Sequence, residues 1–318
     1  MRYTDRHPFF SQLLELRRLS KLAGTYGKDW FKEAYDPSTG RVYPGYRQIG
    51  TSTGRFASGE REKSPNAQNL PSDYRRFFVA PRGRVFVNVD YSQIEVRIIA
   101  KMLEVEELLR LFTEGEDIYA NTSANLLGIA VEEVTKEQRQ LAKALVLGMI
   151  YGLSAYGLPM YAFKNFGIKD MTPEDASAYV HAFYDLYPEI EAYNADVLGA
   201  LGIEGEVDQR TLTGRLRAGI TNSNEAINAP VQGTAADGMK ATMAAVYKRL
   251  RERFGEGAFI STTLHDELLI EVDQEDGPAA LEVVERTMID TMDELLNREA
   301  SYVPVEVEGK VSKVWTKG

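Results

Sequence analysis

Two sets of strand-like runs, one ending near residue 90 and one turning near residue 265, are separated by a long helical stretch. This layout restricts the fold more than any other feature of the chain. "RVFVNVDYS" (84–92) is apolar and β-branched and ends in polar residues. "FISTTLHDELLIEV" (259–272) is two apolar runs flanking His265, Asp266 and Glu267, which reads as a β-hairpin with an acidic tip. "VPVEVEGKV" is a last strand. Between these sets, residues 117–200 read as mostly helical, with breaks near Gly128, Gly152 to Gly157 and Pro188. Residues 8–25, 93–103 and 276–297 also read as helices, and the run from Asn224 to Phe254 as a long helix, irregular near Pro230 and Gly233. "RTLTGRLRAG" suggests a short strand and turn, and the polar stretch from "DPSTG" to "QNLPSD" loop and short strand. Strands at both ends and helices in the middle predict an α+β platform interrupted by a helical insertion.

The 318 residues suffice for a sizeable core and two domains or subdomains. No run of about 18 apolar residues predicts a membrane span, and "MRYTDRHPFF" does not read as a signal peptide. The default expectation is therefore a cytoplasmic protein without membrane contact. The absence of cysteine excludes disulfides and cysteine-ligated zinc. A net charge of −10 argues weakly against a nucleic-acid partner, but its distribution argues the other way. Residues 55–84 hold seven cations (Arg55, Arg61, Lys63, Arg75, Arg76, Arg82, Arg84) against three acids, whereas residues 265–308 hold fourteen acids against two cations. The basic strip is either an anion-binding surface or a solvated loop.

Two carboxylates stand out. Asp90 ends an apolar strand and Asp266 sits at a hairpin tip. Each fits a turn-capping role; together, two strand-end aspartates could converge on hard divalent cations, which take oxygen ligands. The run "QRQLAKALVLGMIYG" (138–152) places Arg139, Lys143, Leu147 and Tyr151 at steps of four. At about 40° of rotation per step they form one drifting stripe, with Leu141, Leu145 and Met149 as the opposite, core-facing stripe. Arg and Lys one turn apart suit a polyphosphate, and the apolar and tyrosine positions suit a sugar, a base or a base pair. An ordinary solvated helix face is the other reading. Gly148 suggests close packing.

Read together, these residues resemble a DNA polymerase of family A, the bacterial DNA polymerase I and phage type. "VDYSQIEVR" (89–97) is similar to motif A of that family, "RQLAKALVLGMIYG" (139–152) to motif B and "HDE" (265–267) to motif C. "TSTGRFAS", "NAQNLPS", "NAPVQGTAAD" and "VEVEGKVSKVW" are similar to family segments in the same order, so that the resemblance covers roughly residues 7–316.

The resemblance implies a right-hand polymerase palm with an antiparallel sheet (1–116 and 219–318) and helical fingers (117–218), carrying out template-directed DNA synthesis with two Mg²⁺ ions. Asp90, Asp266 and the carbonyl of Tyr91 would hold the metals, and Glu267 would support the catalytic site. Arg139 and Lys143 would grip the triphosphate. Gln93, Glu95, Leu147, Tyr151 and Tyr119 would complete the nucleotide site, with Glu95 under the sugar excluding a 2′-hydroxyl. Arg55, Asn69, Asn228, Gln232 and His265 match positions that touch primer–template or the new base pair. The implied partners are primer–template DNA and dNTPs. The sequence carries no match to the family's thumb or exonuclease, so the expectation is either a truncated piece of a longer chain or one subunit of a split enzyme whose thumb or exonuclease lies on a separate chain. Leu147 stands where the family usually has Phe or Tyr, Tyr119 where bacterial members have His, and Gln140 where a second Arg is common. The competing expectations are a related single-subunit RNA polymerase, against which Glu95 argues, and a DNA-binding accessory chain without turnover.

Overall fold

In a computed structural model, described for residues 7–59, 66–169, 171–298 and 301–316, the chain divides into two compact units. The first comprises Met1–Gly50 with Phe56–Pro71, and the second Thr51–Arg55 with Ser72–Gly318. Arg61 and Lys63 of the basic strip lie outside the described residues.

In the first unit, helix α1 (Pro8–Tyr26) is followed by α2 (Lys28–Ala34). His7 caps α1, its ring nitrogen accepting from Phe9 N–H, and Pro8 begins the helix, where its missing donor costs nothing. No residue of α1 is buried. Two small ribbons follow: β1 (Tyr35–Asp36) pairs with β2 (Arg41–Val42), and β3 (Tyr46–Arg47) with β4 (Ala57–Ser58). Asn69 belongs to this unit; it is exposed, and its carbonyl accepts from the Tyr26 hydroxyl.

The second unit begins with α3 (Ser72–Arg75) and β5 (Arg84–Tyr91), then turns through α4 (Ile94–Met102) and α5 (Glu106–Glu114). A helical stretch follows: α6 (Ile118–Leu127), α7 (Lys136–Ile150), α8 (Leu158–Phe166), α9 (Pro173–Leu186) and α10 (Pro188–Glu204). A hairpin of β6 (Val207–Arg210) and β7 (Leu216–Ile220) leads into α11 (Ser223–Phe254). The chain closes with β8 (Ala258–Leu264), β9 (Glu267–Asp273), α12 (Gly277–Leu296) and β10 (Val307–Ser312). Strands from both ends of this unit form one antiparallel sheet in the order β10-β5-β9-β8. The two central strands, β5 and β9, are buried along nearly their whole length, which is why they read as continuous apolar runs. Helix α12 packs on β5 and β10 and lies against α11. The mixed α/antiparallel-β class expected from the sequence is the one observed.

Helix α11 departs from expectation. It runs unbroken through Pro230 and Gly233. Ala226, Ala229, Pro230, Val231, Gly233 and Thr234 are all buried, and the Thr234 hydroxyl donates to the Pro230 carbonyl at 2.7 Å. Burial on several sides holds the helical path that the missing proline N–H weakens. Gly233 keeps the helix surface low: a Cβ there would stand 2.5 Å from the Thr211 methyl.

Candidate active site

The sheet register brings the backbones of the two aspartates together. Asp90 is the penultimate residue of β5, and its cross-strand partner is Glu267, the first residue of β9. Asp266 lies in the tight turn just before, and its carbonyl accepts from the Tyr91 N–H at 3.2 Å. Asp90 and Asp266 are thereby carried on adjoining backbone. His265 takes a positive φ of 51° to make this turn, and Gln93 one of 54° where β5 hands over to α4; both are left-handed conformations uncommon for residues other than glycine. Tyr91 anchors the strand end from behind. Its buried hydroxyl shares a 2.7 Å hydrogen bond with Thr242 of α11 and donates to the Met288 carbonyl of α12 at 2.8 Å.

Crowding desolvates Asp266 and lifts its carboxyl to about 6, with Glu95 and Glu267 adding to the rise and Arg55 opposing it. Burial likewise lowers the imidazole of His265, reinforced by the charge of Arg55. Clustered carboxylates of this kind are costly without compensating positive charge. The donors are hard oxygens, so the site fits a hard divalent cation such as Mg²⁺.

Glu95, in the first turn of α4, is held by two donors. Arg55 forms an ion pair with one carboxylate oxygen and the Tyr151 hydroxyl donates to the other. Burial raises the Tyr151 phenol, and the neighbouring Glu95 carboxylate raises it further. Arg55 sits in a loop gripped by two side chains, one of them anchored in turn on Asp237. Arg215 donates to the Thr53 carbonyl at 2.8 Å and to Asp237 at 2.7 Å, and Lys240 donates to the Gly54 carbonyl at 2.6 Å. Gly54 has φ +84°, and a Cβ there would stand 2.8 Å from the Arg215 guanidinium, so no side chain fits.

Helix α7 is started by Thr135, whose hydroxyl accepts from Gln138 N–H while the Gln138 side chain accepts from Thr135 N–H. It buries Ala142, Ala144, Leu145, Val146, Gly148, Met149 and Ile150. Arg139, Lys143, Leu147 and Tyr151 are all half-exposed, as the expected stripe requires. Leu147 also packs partly against the core. Arg139 pairs with Asp117 at 2.7 Å, and Asp117 also caps α6 by accepting from Tyr119 N–H and Ala120 N–H. The Tyr119 ring is buried, and the charged groups of Arg139 and Lys143 stand 5.3 and 5.4 Å from its centroid. A ring contacted by two cations is a cation–π platform. Tyr119, expected to touch nucleotide, therefore lies against the two cations as a largely covered ring. Two residues past the helix, Gly152 takes a φ of +70° and an added Cβ would stand 2.8 Å from Ile227, so a side chain there is strained.

On α11, Asn228 and Gln232 stand one turn apart and half-exposed. The side-chain carbonyl oxygens of Asn228 and Gln93 are buried with no hydrogen-bond partner among the described residues. Three cations of the basic strip are paired with acids, while Arg76 and Arg82 are exposed. Arg55 binds Glu95, Arg75 binds Glu267 at 2.9 Å, and Arg84 binds Glu271 and Asp273 at 2.5 and 2.7 Å. Trp315 was not singled out in the sequence, yet its indole N–H donates to Glu267 at 3.0 Å. Its signal was its rarity, as one of two tryptophans in the chain.

Comparison with known proteins accords with this geometry. The sequence model described as DNA polymerase family A matches residues 1–317. A DNA polymerase I of Aquifex aeolicus is 37% identical over 316 residues, covering 99% of this chain and 52% of its own. The thermostable DNA polymerase I of Thermus aquaticus is 33% identical, over 98% of this chain and 36% of its own. The solved POL domain of Pol1 from M. smegmatis, in complex with DNA primer-template and dNTP, aligns with a TM-score of 0.81 at 29% identity, over 98% of this chain and 54% of that one. This chain thus spans about half the length of the first of these relatives. It belongs to DNA polymerase family A.

Proposed function

We propose that this chain performs template-directed DNA synthesis, adding dNTPs to a primer 3′-hydroxyl, with 1–116 and 219–318 as palm and 117–218 as fingers. The observation that carries the reading is the convergence of Asp90 and Asp266 on adjoining backbone beside a helix that offers two cations and a tyrosine tied to Glu95.

Asp90, Asp266 and the Tyr91 carbonyl would hold two Mg²⁺ ions, which when bound supply Lewis-acid stabilisation of the attacking 3′-oxygen and the leaving pyrophosphate. Arg139 and Lys143 neutralise the triphosphate. For this Arg139 exchanges its Asp117 partner for phosphate, while the Tyr119 platform keeps both cations in place. Glu95, fixed from two sides, is the wall against C2′ of the incoming sugar. Leu147 covers the sugar and base, and Tyr151 stands at the template end of the stripe. The unpaired carbonyl oxygens of Gln93 and Asn228 serve the nucleotide and the new base pair. Arg55, Asn69, Gln232 and His265 contact primer–template.

Primer extension on a templated overhang, with dNTPs or rNTPs and Mg²⁺, tests the proposal. Templated addition of dNTPs and poor use of rNTPs are expected. Tight DNA binding with no extension would replace the reading by that of an accessory chain.

A further inference from the structure

Glu267 is 4% exposed, and both its carboxylate oxygens are occupied from outside the aspartate pair. Oε2 accepts from Arg75 at 2.9 Å and Oε1 from the Trp315 indole at 3.0 Å. The two donors also support each other, since the Arg75 guanidinium lies 5.1 Å from the Trp315 ring centroid. Trp315 is itself fixed. Its backbone N–H donates to the Phe78 carbonyl at 2.9 Å, and its ring meets Phe78 edge to face at 5.7 Å. Val314 bridges to Val79, Ala80 N–H donates to the Lys313 carbonyl, and buried Asn88, two residues before Asp90, donates to the Thr316 carbonyl. Residues 313–316 are therefore laced to the segment leading into β5 and, through Asn88, to the strand that carries Asp90.

Direct cross-strand partners point to the same face of an antiparallel sheet. Glu267 is the partner of Asp90 and the chain neighbour of Asp266, so an untethered Glu267 carboxylate could swing to a cation held between the aspartates. A carboxylate held on both oxygens cannot swing across without giving up a donor. We infer that Arg75 and Trp315 are positioning residues of the active site: they hold Glu267 as a neutralised wall beside Asp90 and Asp266 and prevent it from becoming an additional metal ligand. Segment 313–316 is on this view part of the active site. The inference rests on the polymerase reading above for its effect on turnover, but not for its effect on metal binding.

The test uses Arg75→Met, Trp315→Phe and the double variant Arg75→Met/Glu267→Gln. Mn²⁺ affinity of the purified chain without DNA is measured by the paramagnetic signal of free Mn²⁺, alongside thermal melting and single-turnover incorporation. Arg75→Met frees a carboxylate and should tighten Mn²⁺ binding, by about tenfold for one more charged ligand. It should slow incorporation about tenfold or more through the altered metal environment, with the dNTP concentration for half-saturation changing much less. Trp315→Phe keeps the ring but removes the donor, and should shift both properties in the same direction by less. In the double variant the carboxylate is gone, so Mn²⁺ affinity should return to the wild-type value and most of the lost rate should be recovered. Unchanged Mn²⁺ affinity in Arg75→Met, or a double variant as slow as Arg75→Met, would overturn the inference, because Arg75 would then act through stability alone. A wild-type chain that extends no primer while its variants show the expected Mn²⁺ pattern would refute the polymerase reading and leave the positioning role standing.

Discussion

Removing Glu95 should loosen sugar discrimination, and the structure sets the size of the effect. The Glu95 side chain is 13% exposed, and its partner Arg55 is 24% exposed. Its carboxylate accepts from Arg55 on one oxygen and from Tyr151 on the other, so it cannot turn aside for a 2′-hydroxyl without losing one of them. A hydrogen bond to a charged group is worth about 1.5–3 kcal/mol. At a factor of ten per 1.36 kcal/mol, exclusion by this device is worth roughly 10- to 150-fold. Glu95→Ala should therefore reduce the preference for dCTP over rCTP by about that factor. It also leaves the Arg55 guanidinium and the Tyr151 hydroxyl without their shared acceptor, so dCTP incorporation itself should slow about three- to tenfold. Glu95→Gln retains the bulk and an acceptor and should keep most of the discrimination if the wall acts by occupying space. Single-turnover kpol/Kd for dCTP and rCTP on one primer–template gives both ratios. A dCTP/rCTP preference in Glu95→Ala within about threefold of wild type, well below the range worked from the lost bonds, would refute the assignment.

Two further expectations concern α7. Leu147→Phe restores a ring to the stripe, and since aromatic pairs add about 0.5–1.5 kcal/mol beyond area burial, correct dNTP incorporation should improve roughly two- to tenfold; equal efficiencies at equal stability would mean that Leu147 serves only the core it partly packs against. The two glycines of the helix end should respond oppositely to alanine. At Gly148 an added Cβ meets Leu158 and Tyr161 at 3.5 and 3.6 Å, ordinary contact, so Gly148→Ala should gain up to about 1 kcal/mol from helix propensity. Gly152→Ala should lose about 1–2 kcal/mol or more to its left-handed backbone, and urea unfolding of the pair would read both signs.

The main elements were legible because their signals are local. The apolar runs of β5 and β9, the four-step stripe of α7 and the polar breaks between helices are written in consecutive residues, and Asp90 and Asp266 fall at strand ends where a sheet can bring them together. What could not be read were the partnerships across long sequence separation. Arg55 reaches Glu95 over 40 residues and Arg75 reaches Glu267 over 192. In sequence these arginines resemble a duplex-binding strip; in the fold, acids of the same site claim them. Tyr119 was expected at the nucleotide because it stands at a family position near the phosphates; the sequence could not show that its ring is covered and lies under Arg139 and Lys143. Pro230 signalled an irregularity in a long helix that burial of its neighbours overrides. The family motifs point to the positions expected to carry the chemistry; the geometry adds which of them are already paired within the chain.

The central claim, that Asp90 and Asp266 form the catalytic centre of a DNA polymerase, is tested most directly by single-turnover addition of one templated dNTP by Asp90→Asn and Asp266→Asn, with primer–template affinity measured on the same preparations. Asparagine preserves shape and removes charge, so both variants should bind DNA as the wild type does while incorporation falls by about three orders of magnitude or more, the loss expected where transition-state charge stabilisation is removed. Incorporation by either variant at a rate near that of the wild type would contradict the assignment of that aspartate and, with it, the active site described here.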